Sequence, residues 1–337
     1  MGLDTASVMF LCGARKFGVD FSRTAMIGRQ SFFPEQAALG RVFKTLGIDE
    51  DPAEFVRKHA FGERFFSLLG AQEITSLDCS SYEDATVIQD LNLPIPSELR
   101  ERFSVVYDGG TIEHVFNIPQ AFKNCMEMVE VGGHFAQANV ANNWTGHGFW
   151  QFSPELVFRI FTPANGFQIE AVLMHEVVPG GAWYAVADPD EIQSRVELRN
   201  SVRTYILTVA RRVARAEIFA APPIQSDYVG LWERREQARR RSPQAPLPRR
   251  AQANAAKNDS KAWQRYLPIL VKRALQRLNF IGPDPPEKGT FQDSCYQPVS
   301  EEALLCGKLA FDKRGGPTSS PHFAHAKLNQ SKARQTG

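Results

Sequence analysis

Short apolar runs alternate along the first two thirds of the chain with longer segments whose apolar residues recur every three or four positions. The runs are Thr24–Ile27, Glu73–Leu77, Ala85–Ile88, Phe103–Tyr107 and His134–Val140. Each stops at Gly, Asp, Asn or another turn former, as strands buried on both faces do. Between them, Pro34–Leu46 and Ala53–Leu69 carry helical periodicity, the second through Phe55, Phe61, Phe65, Phe66 and Leu69. Pro119–Val131 opens on a proline, puts Phe122, Met126 and Val129 on one stripe, and is expected to stop at Gly132-Gly133. After a further helix at Pro154–Phe161 come two more strands, Gln168–His175 and Arg203–Arg211, with no regular crossover helix between them. Strands alternating with helices predict an α/β fold with helices on both faces of a mostly parallel sheet. Seven strands are expected, five parallel and an antiparallel closing pair.

The pattern changes beyond Pro222. Residues 223–262 are rich in Arg, Pro, Gln and Ala and read as a basic linker, residues 263–281 as an amphipathic helix, and residues 282–337 as a largely irregular tail. Residues 1–21 read as an N-terminal extension of a domain at 22–222. On this reading everything after Pro222 is dispensable for folding. The 337 residues carry a net charge of +2, but the bases concentrate between Arg234 and Arg250. That run would attract an anionic membrane surface weakly; no motif points to specific nucleic-acid recognition. Five cysteines without a CxxC pair or zinc-ligand spacing fit a reducing, cytoplasmic setting, and no metal site is expected. No stretch approaches the roughly 20 apolar residues of a membrane-spanning helix.

In open α/β sheets ligands bind beyond the carboxyl ends of the strands. Those positions hold Gly28-Arg29-Gln30, Asp78, Asp90-Leu91, Asp108-Gly109-Gly110 and Asn142-Asn143-Trp144. An ionised carboxylate only accepts hydrogen bonds, so Asp78 suits the diol of a ribose and Asp90 an exocyclic amine, with Leu91 against the ring. Gly109 lets backbone approach a ligand. Aspartates at such places also cap turns and helices.

The stretch Phe103–Val115 (FSVVYDGGTIEHV) resembles the fourth-strand motif of small-molecule S-adenosylmethionine (SAM)-dependent methyltransferases, with Glu113, His114 and Val115 in the Glu-His-Val positions and Gly132-Gly133 ahead of strand five. The resemblance spans about 190 residues. Trp144–Glu155 and Gln225–Tyr228 are similar to a bacterial subgroup associated with cell-surface polysaccharides. It implies a Rossmann-like class I methyltransferase fold, SAM as cofactor and a small-molecule or saccharide-type acceptor. It also implies that Asp78 holds the ribose, Asp90 the adenine amine, and Asp108 with Gly109 the methionine side. His114 and His147 are the candidate catalytic residues.

The family's Gly-x-Gly-x-Gly loop after strand one is reduced here to Gly28, followed by Arg29, and the span to Asp78 has room for an additional helix. Arg29 and Gln30 could meet the SAM carboxylate with their side chains in place of that loop. The alternative is a catalytically inactive methyltransferase-fold scaffold or binding protein. An NAD-type oxidoreductase is disfavoured, because no Gly-x-Gly-x-x-Gly follows a strand.

Overall fold

The computed structural model describes residues 2–241, 290–291 and 295–309. One nine-stranded sheet runs through it. Its strands in chain order are β1 (Arg23–Ile27), β2 (Glu73–Asp78), β3 (Val87–Ile88), β4 (Phe103–Asp108), β5 (Val129–Asn142), β6 (Phe167–Glu176), β7 (Trp183–Val186), β8 (Thr204–Arg212) and β9 (Tyr296–Val299). The spatial order is β9-β7-β6-β8-β5-β4-β1-β2-β3. The half β3-β2-β1-β4-β5 pairs in parallel, with Met26 beside both Ser76 and Tyr107. β8 then inserts antiparallel between β5 and β6. That is the expected arrangement, with β7 and β9 added antiparallel beyond β6.

Every residue of β4 is buried, and alternate residues of the central strands feed two cores. Met26, Val105, Tyr107, Ala136, Leu173 and Leu207 face one. Ile27, Val106, Phe135, Val172 and Ile206 face the other, where α5 (Ile118–Met128) and α6 (Pro154–Ile160) lie. This period-two division of an apolar strand is what a sheet covered on both faces requires.

Several expectations are corrected. Residues 1–21 are not an appendage, because α1 (Thr5–Phe17) is buried at every position from Ala6 to Ala14 and packs in the first core. A helix apolar all round is stable only inside a molecule. Asp4 caps it by accepting from the Ser7 amide, and Gly18 ends it at φ +121°. In the β1–β2 connection the helix expected at 34–46 is α2 (Gln36–Leu46), and the one expected at 53–69 is split into α3 (Pro52–Lys58) and α4 (Glu63–Leu68). The periodicity of 53–69 hides the break at residues 59–62 because Phe55, Phe65 and Phe66 all enter the same core. The chain opens there to pair with the first loop, Phe32 N–H donating to Ala60 and Gly62 N–H to Gln30.

The fifth helix also stops earlier than expected, at Met128, so that Gly132-Gly133 lies within β5. Gly132, at φ +96°, absorbs a bulge between the Phe103–Val129 and Val105–His134 pairings. Arg212 at the end of β8 donates to the Val129 carbonyl at the end of α5 and to Glu101.

Part of the expected basic linker is helical as α7 (Ser226–Arg241), while the amphipathic helix at 263–281 lies outside the described residues. Of the tail expected to be irregular, residues 282–289, 292–294 and 310–337 lie outside the described residues, and the described part contains regular elements. Residues 296–299 are β9, and α8 (Glu301–Leu305) follows, capped by Ser300. Leu304, Leu305 and Leu309 join the first core. Gly13 of α1 faces the Leu304 carbonyl so closely that a Cβ there would overlap it.

Candidate functional site

The parallel strands direct their carboxyl ends to one edge of the sheet, and the sequence-derived candidates collect there. Gly28 closes β1 at φ +70°, its N–H donating to the Leu77 carbonyl at 2.6 Å. Only glycine tolerates that conformation readily. Arg29 is fully engaged: Nε donates to Glu63 at 2.7 Å, Nη1 to the Glu83 carbonyl at 2.8 Å, and the guanidinium lies over the Phe61 ring. It is therefore engaged with α4 and the β2–β3 loop rather than poised for a cofactor carboxylate.

The neighbouring Gln30 is the residue directed inward. Its amide Nε2 donates to the Ile27 carbonyl at 2.5 Å and to Thr111 Oγ1 at 3.2 Å. Thr111 Oγ1 in turn donates to Ile27 at 2.7 Å. The first and fourth loops are thus joined directly. Gln30 Oε1 lies against Gly109, where any side chain would collide with it, and it has no hydrogen-bond partner. A cavity of about 50 Å³ adjoins Gly109, bounded also by Gly2, Ser7, Phe33, Ala138 and Tyr205.

Asp78 is half-buried at the end of β2, Oδ1 accepting from the Ser80 amide. Asp90 is exposed; hydrogen bonds from the amide and side chain of Asn92 hold its carboxyl below the ordinary range. Leu91 is a correction. It is buried in the second core with Phe122 and Leu99 and offers no face to a ring above the sheet.

Asp108 is also placed differently from expectation. It is fully buried, with Oδ1 accepting from the Thr111 and Ile112 amides and Oδ2 from Asn139 Nδ2 at 2.6 Å. The same Nδ2 donates to Glu113 Oε2 at 2.9 Å, so one amide bridges two buried carboxyls. Burial raises both of their pKa values, and the charge of Asp108 raises Glu113 further. The sequence places Glu113 in its motif without a role and offers Gln30, beside Arg29, as a contact for the cofactor carboxylate; it gives Asn139 no role. The readable signal for Asn139 was the alternation of Gln137 and Asn139 in an apolar strand, both fully buried.

His114 and His147 come together although 33 positions separate them, their rings 4.8 Å apart. His114 belongs to the 3-10 turn Ile112–His114, and His147 to the loop after β5. The loop is fastened to Glu113 by the Phe149 amide at 2.9 Å and the Trp150 amide at 3.2 Å, both donating to the Glu113 carbonyl. Gly148, at φ +67°, makes that approach possible. His147 Nε2 stands 3.7 Å from Glu113 Oε1, and each atom is buried without a hydrogen-bond partner. Burial lowers both imidazole pKa values, His114 also through its histidine neighbour. Trp144, in the same loop, is stacked on Tyr205 at 5.3 Å with Arg203 over its face. A larger cavity, about 570 Å³ between α6 and the β6–β7 side, contains none of these groups. The chemistry and this larger void are in different places, and the convergent polar groups identify the site.

No family model matches the chain, and no curated protein does. Among solved structures it is similar to an S-adenosylmethionine dependent methyltransferase from Mesorhizobium loti, at 16% identity over 59% of this chain and 96% of that one, with a TM-score of 0.33. It is similar to the N-methyltransferase NodS from Bradyrhizobium japonicum, in complex with S-adenosyl-L-homocysteine, at 14% identity over 62% and 85%, TM-score 0.32. A branched-chain polyamine synthase from Thermus thermophilus, in complex with N4-aminopropylspermidine and 5'-methylthioadenosine, is similar at 13% identity over 65% and 58%, TM-score 0.34. At these identities and TM-scores the likeness carries nothing about activity. The strand order itself gives the chain the Rossmann-like α/β fold of the class I methyltransferases.

Proposed function

We propose that the chain binds SAM and transfers its methyl group to a small-molecule or saccharide-type acceptor. The observation that carries this reading is the meeting, at one sheet edge, of the Asp78 and Asp90 carboxylates with the Asp108–Asn139–Glu113 network and the two imidazoles.

The residues fit the cofactor in two halves. Asp78 and Asp90 would hold the ribose and the adenine amine. Gln30 Oε1, a buried acceptor lacking a donor, would take a hydrogen bond from the ammonium group beside Gly109. SAM supplies an activated methyl on a sulfonium, which leaves the protein to align the acceptor and relieve it of a proton. Asp108 and Glu113 shape the floor through Asn139. Trp144 and Arg203 supply a flat, cationic wall against which a polar ring can lie, and the uncharged nitrogens of His114 and His147 face an acceptor hydroxyl. The scattered spacing of the cysteines fits a cytoplasmic setting, and the arginines ending α7 suit a weak contact with an anionic membrane surface.

Calorimetry with S-adenosylhomocysteine tests the proposal. The intact chain is expected to bind it, and Asp78→Ala to weaken binding by about 1–3 kcal/mol, roughly 5- to 150-fold. Absence of binding to the intact chain overturns the reading. One observation favours a second reading, a catalytically silent scaffold: Arg29 is already paired, and Gln30 already joins the loops between which the methionine half would lie.

A further inference from the structure

Glu113 Oε1 presents an unusual local situation. The side chain is entirely buried, its other oxygen is held by Asn139, and Oε1 faces His147 Nε2 across 3.7 Å with neither atom hydrogen-bonded. That separation is too long for a hydrogen bond. It is close to what two ligands of one ion need, since bonds of about 2.0–2.2 Å in a tetrahedral site put donors about 3.4 Å apart. A nitrogen of His114 completes the set, with the three donor atoms all within 4.8 Å of one another. We propose that Glu113, His114 and His147 bind a divalent transition-metal ion of the Zn²⁺ class between the turn after β4 and the loop after β5.

The donor set is suited to such an ion. Two imidazoles and one carboxylate favour Zn²⁺ and its neighbours over Mg²⁺ or Ca²⁺, which prefer oxygen alone. Three protein ligands leave a fourth position open, the arrangement of sites that bind a substrate oxygen. The supporting contacts are in place. Asn139 orients the carboxylate, and the amides of Phe149 and Trp150 fasten the His147 loop to the Glu113 backbone. Groups around the ligands hold them in register with the ion. His114, exposed on its short turn, is the ligand that moves by about an ångström to close the site. An ion so held would have that position free for a hydroxyl or carbonyl oxygen of a ligand. This goes beyond the methyl-transfer reading and does not rest on it.

The test uses the full chain, stripped with a chelator, folded by circular dichroism, and titrated with ZnCl₂ by calorimetry and with CoCl₂ by visible absorption. One saturable site is expected, with the intense d–d bands of a low-coordinate Co²⁺ centre. His147→Ala and His114→Ala, both at exposed or half-exposed positions, should each weaken Zn²⁺ about ten-fold or more. No uptake by the wild-type chain overturns the proposal, as does uptake that survives both histidine substitutions unchanged. The Co²⁺ spectrum of the wild-type chain decides the matter should a variant misfold. Titrating the stripped chain with S-adenosylhomocysteine reports separately on the methyl-transfer reading.

Discussion

Gln30 brings a carboxamide into the gap between β1 and β4, and its two ends have different duties. The nitrogen joins the loops; the oxygen waits beside Gly109 without a donor. If that oxygen receives the cofactor's ammonium, Gln30→Ala should weaken S-adenosylhomocysteine about ten-fold, the scale of one charge-assisted hydrogen bond. Tighter binding by the variant would instead mark the side chain as a plug and support the scaffold reading. His175 gives a pH prediction. It is buried, stacked on Trp183 at 4.0 Å, and burial lowers its pKa from 6.5 to about 4. Below pH 6.5 the unfolded chain therefore binds a proton that the folded chain refuses. This contribution to stability is complete above 6.5 and is lost as the pH falls toward 4, by up to about 3 kcal/mol. Urea unfolding across that window should show the loss for the wild type and a flatter profile for His175→Phe; equal slopes would refute the assignment.

At the level of elements, α1 and α8 meet where Gly13 leaves no room beneath the Leu304 carbonyl. Replacing a mid-helix glycine by alanine ordinarily stabilises a helix by about 1 kcal/mol. Here Gly13→Ala should destabilise by about 1–3 kcal/mol, because the methyl displaces α8. A raised melting temperature would show that the contact is dispensable. The seven expected strands could be read within a few residues because each is a compact apolar run between turn formers. What escaped reading has physical causes. The break between α3 and α4 is invisible in a periodicity that one core continues. Gly132-Gly133 is a helix stop by composition, yet Gly132 serves a bulge. α1 looked like an appendage because its stretch from Ala6 to Ala14, buried on every side, has no polar face to give it a period. At the site, Asp78 and Asp90 were legible as carboxylates just past strand ends, His114 from its motif and His147 from its glycine-flanked loop, whereas Arg29 and Leu91 found partners elsewhere in the fold that no local pattern records.

For the whole molecule, the tail matters. A chain ending at residue 289 lacks β9 and α8, and with them the burial of Leu304, Leu305 and Leu309, each about 1.5–3 kcal/mol. It should unfold at clearly lower urea concentration than the full chain or fail to remain soluble. Unchanged stability would restore the boundary near Pro222. The pairing of β9 with β7 also has a consequence in time. Tyr296 lies opposite Val186, about 110 positions earlier. At synthesis rates of about 5–20 residues per second, a ribosome needs roughly 5–20 s to make the intervening chain. Throughout that interval β7 presents an open row of backbone donors and acceptors, the template on which neighbouring nascent chains pair. Messages translated by closely spaced ribosomes would bring such edges together, so the yield of this protein should depend on how crowded its own polysome is.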